Sequence, residues 1–405
     1  MLVSFVLNGD RTEVECEPGT TLLTVLRRLG CWSVRYGSPT GETGAAAVLI
    51  DGRLVSSDVM LAAQAGDHEV TTVEALDVAI DHLDPIQAAF VETGALQSGY
   101  SAGAMVLAAK ALLDRDPDPS DEAIRDVLSG VLDRETGYVK VVEAVRRAAA
   151  RGRGEPVPAF EPVFLAPLTG GCLDGGTVAS DDRPPAFPRI VPSRDVPATS
   201  VVGTAAPKVD AVRLVKGKPA FTDDIEPRGM LHAKVLRSPH AHARVVAVDD
   251  RAAWAVRGVR AVLHHGNTPR VKYASGGQSW PNPHPWDQVC FDDEVRHVGD
   301  RVAAVAAETL EAAEEACRRL EVTYEVLPAV FDELAAVAPG APRVHTEDDS
   351  IGVEDISSNI SCRIRGQTVK DMDAALSGSV RVVESTYRVH QVQHCSIEPH
   401  VAIAW

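Results

Sequence analysis

The sequence lacks cysteine pairs. No C-x2-C spacing occurs that could hold zinc or an iron–sulfur cluster, because the seven cysteines lie far apart, at Cys16, Cys31, Cys172, Cys290, Cys317, Cys362 and Cys395. We expect buried thiols in a reducing compartment. One thiol acting as a nucleophile stays an alternative, although no neighbouring sequence singles one out.

Long apolar runs and an excess of basic residues are also missing. No run approaches the roughly 18 apolar residues of a bilayer-spanning helix, and the start, MLVSFVLNGD, has no basic region typical of a secretory signal. The 57 acidic and 40 basic residues give a net charge of −17, which would repel a phosphate backbone. We expect a cytoplasmic protein that binds neither nucleic acid nor membranes.

The composition is that of a folded, multidomain chain. Of the 405 residues, 45% are hydrophobic and 24% are charged. These values are close to the averages for globular proteins. At roughly 100 to 200 residues per domain, the length predicts two to four domains.

The first part predicts a small sheet crossed by one helix. Asn8-Gly9 and Asp51-Gly52 each lie between strand-like segments and are typical of two-residue hairpin turns. Between these hairpins, leucines at helical spacing follow the possible caps Thr20 and Thr21. A polar, glycine-rich loop at 35–44 follows the helix.

The remaining chain predicts a helical domain, a linker and a mixed domain. From about residue 80 the apolar spacing indicates four short helices, and 151–205 contains nine prolines without a sustained period. An α/β alternation of about 130 residues follows. The last portion contains VRVVESTYRVHQVQH (380–394) and HVAIAW (400–405), which have the composition of strands. The apolar end at Trp405 predicts that this stretch pairs with a segment supplied elsewhere.

Several long segments resemble the xanthine dehydrogenase and aldehyde oxidase family of molybdenum hydroxylases. The resemblance covers nearly the whole chain apart from the linker, in the family's order. The segments that carry it are YGSPTGETGAAAVLIDG (36–52), GALQSGYSAGAMVLAAKALLDRDPDPSDEAIRDVLSG (94–130), ETGYVKVVEAV (135–145), KVDAVRLVKGKPAFTDDI (208–225), GMLHAKVLRSPHAHARV (229–245), DDEVRHVGDRVAAVAAET (292–309) and QHCSIEPHVAIA (393–404).

The resemblance implies an α+β multidomain fold. The implied order is a β-grasp ferredoxin-like domain over 1–78, a four-helix [2Fe-2S]-like domain over 79–150 and a linker over 151–205. An α/β hammerhead-like domain over 206–335 and the first strands of a molybdopterin-binding domain over 336–405 complete it.

The chain departs from this family where relatives hold their two [2Fe-2S] clusters. The resemblance implies one ligand pattern, C-x4-C-x2-C-x11-C, at Ser38, Thr43, Ala46 and Asp58, and a second, C-x2-C-x31-C-x-C, at Ser98, Ser101, Asp133 and Glu135. All eight thiolates are absent. Because hydroxyls have far too high a pKa to replace thiolates and Ala46 has no donor, we expect no [2Fe-2S] cluster and no electron relay in this chain.

The replacing side chains have two possible uses. The carboxylates are hard oxygen ligands that would suit magnesium or calcium, but no calcium-loop spacing is present. We favour the alternative, in which the polar replacements form hydrogen bonds with loop amides and preserve the shape of the loops.

The resemblance also limits the other cofactors. No flavin domain stands between the helical domain and the hammerhead, so we expect no FAD in this chain. Molybdopterin is expected only together with a partner chain that supplies the remaining molybdopterin-binding domains. Gln97 matches a family glutamine that lies toward the pterin, although a structural role at a helix start is the alternative.

Two other groups are candidates for a site. The segment SWPNPHPWDQ places Trp280, His284, Trp286 and Asp287 in a loop that could shape a substrate funnel or could be a rigid surface loop. The group His394, Glu398 and His400 could supply acid–base chemistry, against a structural role in a strand.

We therefore expect one component of a hetero-oligomeric, molybdenum-hydroxylase-like assembly that acts on a small molecule, with the cluster domains retained as scaffold. The chain alone is not expected to be active. Two alternatives remain: a cofactor-free enzyme repurposed for non-redox acid–base chemistry, and a non-catalytic structural subunit.

Overall fold

The structure is a computed structural model that describes residues 1–76, 83–132, 139–160, 206–276, 282–364, 366 and 370–405. Contacts within it divide the chain into two compact units. Unit 1 comprises Met1–Ile225 and Val389–Trp405, and unit 2 comprises Glu226–Arg388. The finer domain boundaries expected from the sequence remain predictions, because this division is coarser.

Unit 1 begins with a five-stranded mixed sheet and one helix. Its strands are β1 (Leu2–Leu7), β2 (Asp10–Glu15), β3 (Ala47–Ile50), β4 (Arg53–Ser56) and β5 (Glu69–Thr71), in the order β2-β1-β5-β3-β4. Only β1 and β5 are parallel. Helix α1 (Leu22–Arg28) begins after Thr21, whose hydroxyl accepts a hydrogen bond from Thr24 N. Both hairpins are confirmed, since Asn8-Gly9 and Asp51-Gly52 adopt positive φ.

The helical part of unit 1 contains α2 (Pro85–Thr93), α3 (Ala102–Arg115), α4 (Asp121–Ser129) and α5 (Val139–Gly152), as expected. Helix α2 begins with a capping box between Asp84 and Gln87 and ends at Gly94, whose φ is 66°. Helix α3 consists largely of small apolar residues and is buried over most of its length. Helix α5 extends to Gly152, so the linker starts slightly later than expected.

A short segment after the linker also belongs to unit 1. It contains α6 (Ala211–Val215) and a 3-10 turn at Thr222–Asp224. Helix α6 packs against α2 and α3. The segment therefore lies on the helical part of the unit.

Unit 2 contains two three-stranded sheets. One has the order β6 (His232–Arg237), β10 (Arg301–Ala307), β8 (Val259–His264), and the other has the order β11 (Glu321–Val326), β7 (Ala243–Asp249), β9 (Glu294–Val295). Helices α7 (Arg251–Trp254) and α8 (Leu310–Arg318) pack on the first sheet. Val262, Val305 and Ala316 lie in the apolar core of this sheet and helix layer. The expected α/β alternation is present.

The end of the chain differs from the expectation. The described residues after β11 contain two short α-helices, α9 (Glu333–Ala336) and α10 (Met372–Ser377), and a 3-10 turn at Ile356–Ser358. They contain no strand, apart from isolated bridges that involve Ile351, Asp355 and Ile360. The segments expected to be strands, around 380–394 and 400–405, are mostly exposed. Apolar alternation alone does not make a strand, because a strand also needs a partner for its backbone groups.

Candidate functional site

The loop that carries Ser38 and Thr43 is held by its own hydrogen bonds. The Ser38 hydroxyl accepts from Gly41 N at 3.1 Å and donates to the Glu42 carboxylate at 2.9 Å. The Thr43 hydroxyl is buried and accepts from Ala45 N at 3.4 Å. Both hydroxyls thus satisfy loop amides, the role that we favoured for these positions.

Ala46 and Asp58 lie deeper. The carbonyl oxygen of Ala46 accepts from the backbone N and the hydroxyl of Ser57, at 3.0 and 2.7 Å. The Asp58 carboxyl group accepts from the Ser56 hydroxyl at 2.8 Å through Oδ1, while its buried Oδ2 has no hydrogen-bond partner. Asp58 therefore only partly fulfils the expected role.

The second set of positions precedes α3. The Ser98 hydroxyl is exposed and accepts from Tyr100 N at 3.1 Å. Ser101 is buried at the N-cap of α3 but makes no side-chain capping bond. Gln97 is half-buried. Asp133 and Glu135 lie outside the described residues.

These side chains do not fit an iron–sulfur cluster. Thiolate ligands are required, and the four positions of the first set present two hydroxyls, a methyl group and a carboxylate. Cys31 offers no substitute, because burial, with a contribution from the negative charge of Glu74, raises the pKa of its thiol to about 12. Within the described ranges, no three His, Cys, Asp or Glu side chains form a group that could hold a metal ion.

A partly buried cluster of charged and aromatic side chains lies beside this loop, and we call it the Arg35 cluster. It consists of Arg27, Arg35, Tyr100, Phe221 and Asp224. Asp224 Oδ1 accepts hydrogen bonds from Arg35 and from Arg27, the latter at 2.9 Å. Its Oδ2 accepts from Ala220 N and Phe221 N at 2.8 and 3.0 Å. Burial would raise the pKa of Asp224, but these bonds outweigh burial and lower it.

Aromatic rings cover the guanidinium groups of this cluster. The Arg35 guanidinium carbon lies 4.5 Å from the centroid of the Phe221 ring and 5.6 Å from that of Tyr100. The two rings pack edge to face, with 5.1 Å between centroids. The Tyr100 hydroxyl donates to the Tyr36 carbonyl oxygen at 2.7 Å. Burial raises the pKa of Tyr100, so the phenol remains protonated and donates this bond.

Of the candidates at the end of the chain, Glu398 is the one whose pKa is affected by the charges of Arg35, Asp224 and Asp223. It is half-buried, and burial raises the pKa of its carboxyl group, an effect that the charge of Arg35 partly opposes. His394 and His400 are exposed. An acid–base group formed by the three residues therefore remains a prediction. The Arg35 cluster was missed by sequence reasoning, since Arg35 and Asp224 are 189 residues apart and no local motif links them.

The other sequence candidates lie in unit 2. Trp280 is outside the described residues. His284 and Trp286 stack with 5.0 Å between ring centroids, and Trp286 exchanges backbone hydrogen bonds with Ile351. Asp287 is 4.0 Å from His345. These contacts accord with the alternative of a rigid loop, and the substrate funnel remains a prediction.

The cysteines differ in part from the expectation of buried thiols. Cys16 and Cys31 are buried and Cys317 is partly buried, and Cys172 lies outside the described residues. Cys290, Cys362 and Cys395 are exposed, and for these three the expectation was wrong. They lie in segments that lack regular secondary structure, where no apolar layer covers the side chains.

Comparisons with known proteins match both units. A family model described as "Aldehyde oxidase and xanthine dehydrogenase, a/b hammerhead domain" matches residues 216–328, and one described as "[2Fe-2S] binding domain" matches residues 72–146. The protein named "Probable hypoxanthine oxidase XdhD" of Escherichia coli O157:H7 is 34% identical over 99% of this chain. This chain spans only 42% of the length of that protein.

Two further relatives match different shares of the chain. The "Nicotinate dehydrogenase small FeS subunit" of Eubacterium barkeri is 43% identical over 37% of this chain and 95% of its own length. The crystal structure of an aldehyde oxidoreductase from Desulfovibrio desulfuricans matches 87% of this chain and 36% of that chain, with a TM-score of 0.68 and 27% identity.

In the part of the chain that the structure describes, no helix has the length and apolarity to cross a membrane.

Proposed function

Because this chain belongs to the xanthine dehydrogenase family of molybdenum hydroxylases, we propose that it is one component of a molybdenum-hydroxylase-like assembly acting on a small molecule. Its two cluster-type domains serve as scaffold, and it contains no electron relay. This proposal rests on one observation above all: the positions of the first cluster site carry two hydroxyls, a methyl group and a carboxylate, and the loop around Ser38 and Thr43 is closed by its own hydrogen bonds.

The loop contacts support a scaffold role. The Thr43 carbonyl oxygen accepts from Leu132 N at 2.8 Å, and the Tyr36 carbonyl oxygen accepts from the Tyr100 hydroxyl. The loop therefore connects the sheet of unit 1 to its helical part through its own carbonyl oxygens, which accept from a backbone N and from a side-chain hydroxyl of the helical part. A loop with this task is needed for the architecture whether or not it binds iron.

The finer assignment follows from family membership. We assign a β-grasp domain to 1–78, a helical [2Fe-2S]-like domain to 79–150, a hammerhead domain to 206–335 and the start of a molybdopterin-binding domain to 336–405. The family's molybdenum cofactor supplies oxidative hydroxylation chemistry where it is bound. Gln97 is the residue of this chain that we assign to the side of the pterin.

We propose that a partner chain with molybdopterin-binding domains associates with this chain. Support comes from two relatives of Eubacterium barkeri that match different parts of this chain. One is the small FeS protein described above, and the other is named "Nicotinate dehydrogenase large molybdopterin subunit". Among the relatives, the cluster-type part and the molybdopterin part therefore occur on separate chains.

Iron incorporation tests the proposal. The full chain is incubated anaerobically with ferrous iron and sulfide, desalted, and examined for bound iron and for a paramagnetic signal after dithionite reduction. We expect neither. A matched variant with Ser38→Cys, Thr43→Cys, Ala46→Cys and Asp58→Cys returns four thiols to the retained loop, and we expect it to bind a reducible cluster.

The outcomes separate the two parts of the proposal. Stoichiometric iron and a reducible signal in the unchanged chain would overturn the absence of an electron relay. Failure of the four-cysteine variant would contradict the retention of the loop shape. Molybdenum in the isolated assembly supports the proposed role in that assembly, and its absence there favours the cofactor-free alternative.

A further inference from the structure

A cavity lies at one edge of unit 1, between β4 and the C-terminal ends of helices α3 and α4. Its volume is about 490 Å³, within the range of roughly 300–1,000 Å³ that is typical of small-molecule sites. Strand β4 is the outermost strand of the five-stranded sheet, and α3 packs against both β4 and α4. The cavity therefore lies within one compact unit, where its sheet meets its helices.

Four apolar side chains line this cavity. Leu112 is buried, and Leu54, Ala111 and Val127 are half-buried and pack against an apolar core of unit 1. Small residues leave space beside them. Ala111 has only a methyl group, and a Cβ at Gly52, in the turn before β4, would meet no atom within 4 Å. This lining can bury the apolar body of a small ligand.

Two arginines line the same cavity. Arg53 is the first residue of β4, and Arg115 is the last residue of α3. Both are exposed. Among the described residues, neither guanidinium group forms a hydrogen bond or an ion pair with the protein. Because both side chains are long and begin at the cavity, their guanidinium groups are able to reach one ligand there.

The nearby carboxylates do not neutralise these arginines, because they have other partners. Asp51 accepts from Glu69 N at 2.9 Å and contacts His68 Nδ1 at 2.6 Å. Asp114, which also lines the cavity, forms an ion pair with Lys110. Two positive charges thus remain available beside an apolar lining, in a chain whose net charge is −17.

We propose that this cavity binds a small amphipathic carboxylate. The carboxylate is held by Arg53 and Arg115, since a planar guanidinium group matches the two oxygens of a carboxylate. The apolar body of the ligand packs against Leu54 and Leu112. The inference goes beyond the proposed function, because the cavity shares no residue with the loop of the first cluster site or with the Arg35 cluster.

Binding of two matched probes to the full chain tests this inference. Cinnamate carries a carboxylate on an apolar body, and cinnamamide has the same body without the charge. Both are titrated by ligand-observed nuclear magnetic resonance. We expect cinnamate to bind saturably, and cinnamamide to bind at least about tenfold more weakly because it loses the charge-assisted hydrogen bonds. Equal affinities of the two probes, or no saturable binding of cinnamate, would overturn the proposal.

Three variants locate the site. Arg53→Ala with Arg115→Ala should weaken cinnamate at least about tenfold and leave cinnamamide unchanged. Ala111→Leu fills the cavity and should weaken both probes. The matched control Arg11→Ala removes an exposed arginine from β2, at the opposite edge of the same sheet, and should change neither affinity.

The design does not depend on a variant that could fail to fold. Arg53 and Arg115 are exposed and have no partner in the described part of the chain, so the double variant should unfold at the same urea concentration as the wild type. Wild-type affinity for cinnamate in this folded variant would contradict the proposal. An equal loss in Arg11→Ala would also contradict it, because the attraction would then be a general effect of surface charge.

Discussion

Two buried aspartates should respond differently to the same substitution. Asp58 and Asp224 are each 6% exposed. Asp224 accepts hydrogen bonds from two arginines and two backbone N–H groups, whereas Asp58 accepts one from Ser56 and has a buried, unpartnered oxygen. We predict that Asp224→Ala strongly lowers the free energy of unfolding and that Asp58→Ala leaves it nearly unchanged.

The contacts give the magnitudes. Asp224→Ala leaves the buried Arg35 guanidinium without its counter-charge, and breaking such a pair costs about 3–5 kcal/mol. Asp58→Ala loses one hydrogen bond, worth about 0.5–1.5 kcal/mol, but it also removes an unsatisfied buried oxygen, whose burial costs about 1–3 kcal/mol. Since these two effects oppose each other, we expect a change within about 1 kcal/mol for Asp58→Ala.

Urea unfolding of the full chain at pH 7, followed by circular dichroism, measures both effects. Ser56→Ala is the matched control, because it removes the one donor to Asp58 and keeps the carboxyl group; we expect it to be less stable than Asp58→Ala. A loss above about 2 kcal/mol for Asp58→Ala would refute the reasoning, because it would mean that the second oxygen has a stabilising partner. Dependence of that loss on EDTA would identify the partner as a metal ion.

Two further predictions concern pH. In unit 2, burial opposes ionisation of Asp292, but hydrogen bonds with Asp293, Arg296 and Arg270 outweigh burial and bring the pKa of Asp292 to about 2. Because this pKa is below the unfolded value, the stability that the ionised group contributes is present above about pH 4 and is lost toward pH 2. The midpoint of urea unfolding should show this loss in the wild type but not in Asp292→Asn. A midpoint that instead falls between pH 7 and 5 would point to histidines. Burial raises the pKa of Glu398, so the stabilising contribution of this carboxyl group is present at low pH and lost as the pH rises through the folded pKa. Glu398→Gln should therefore raise the midpoint of urea unfolding at pH 7 and not at pH 4. Equal effects of the substitution at both pH values would contradict this pH dependence.

Local sequence signals predicted much of the fold. Asn8-Gly9 and Asp51-Gly52 indicate hairpins because their turn conformation is a property of two residues. The cap at Thr21 and the leucines after it likewise define α1. The expected strands around 380–394 were not found, because apolar alternation does not contain the partner that a ladder needs.

The candidate site was predictable only in part. The positions of Ser38, Thr43, Ala46 and Asp58 follow from family spacing. The hydroxyls of Ser38 and Thr43 accept hydrogen bonds from loop amides, as expected. The unpartnered oxygen of Asp58 and the Arg35 cluster depend on the approach of distant segments. No local pattern encodes such an approach, and the charges of Arg35 and Asp224 alone do not identify each other among the 40 basic and 57 acidic residues.

The joint between the cluster loop and the helices is made by main-chain atoms. A Cβ at Gly44 would collide with the Gly130 carbonyl oxygen, and the neighbouring Thr43 carbonyl oxygen accepts from Leu132 N. The side chains of Ser38 and Thr43, at two of the former ligand positions, instead bond to amides within the loop. Mutations could therefore erase every ligand of a metallocentre one by one without loosening the architecture, so the ancestral shape can outlast the chemistry for which it was selected.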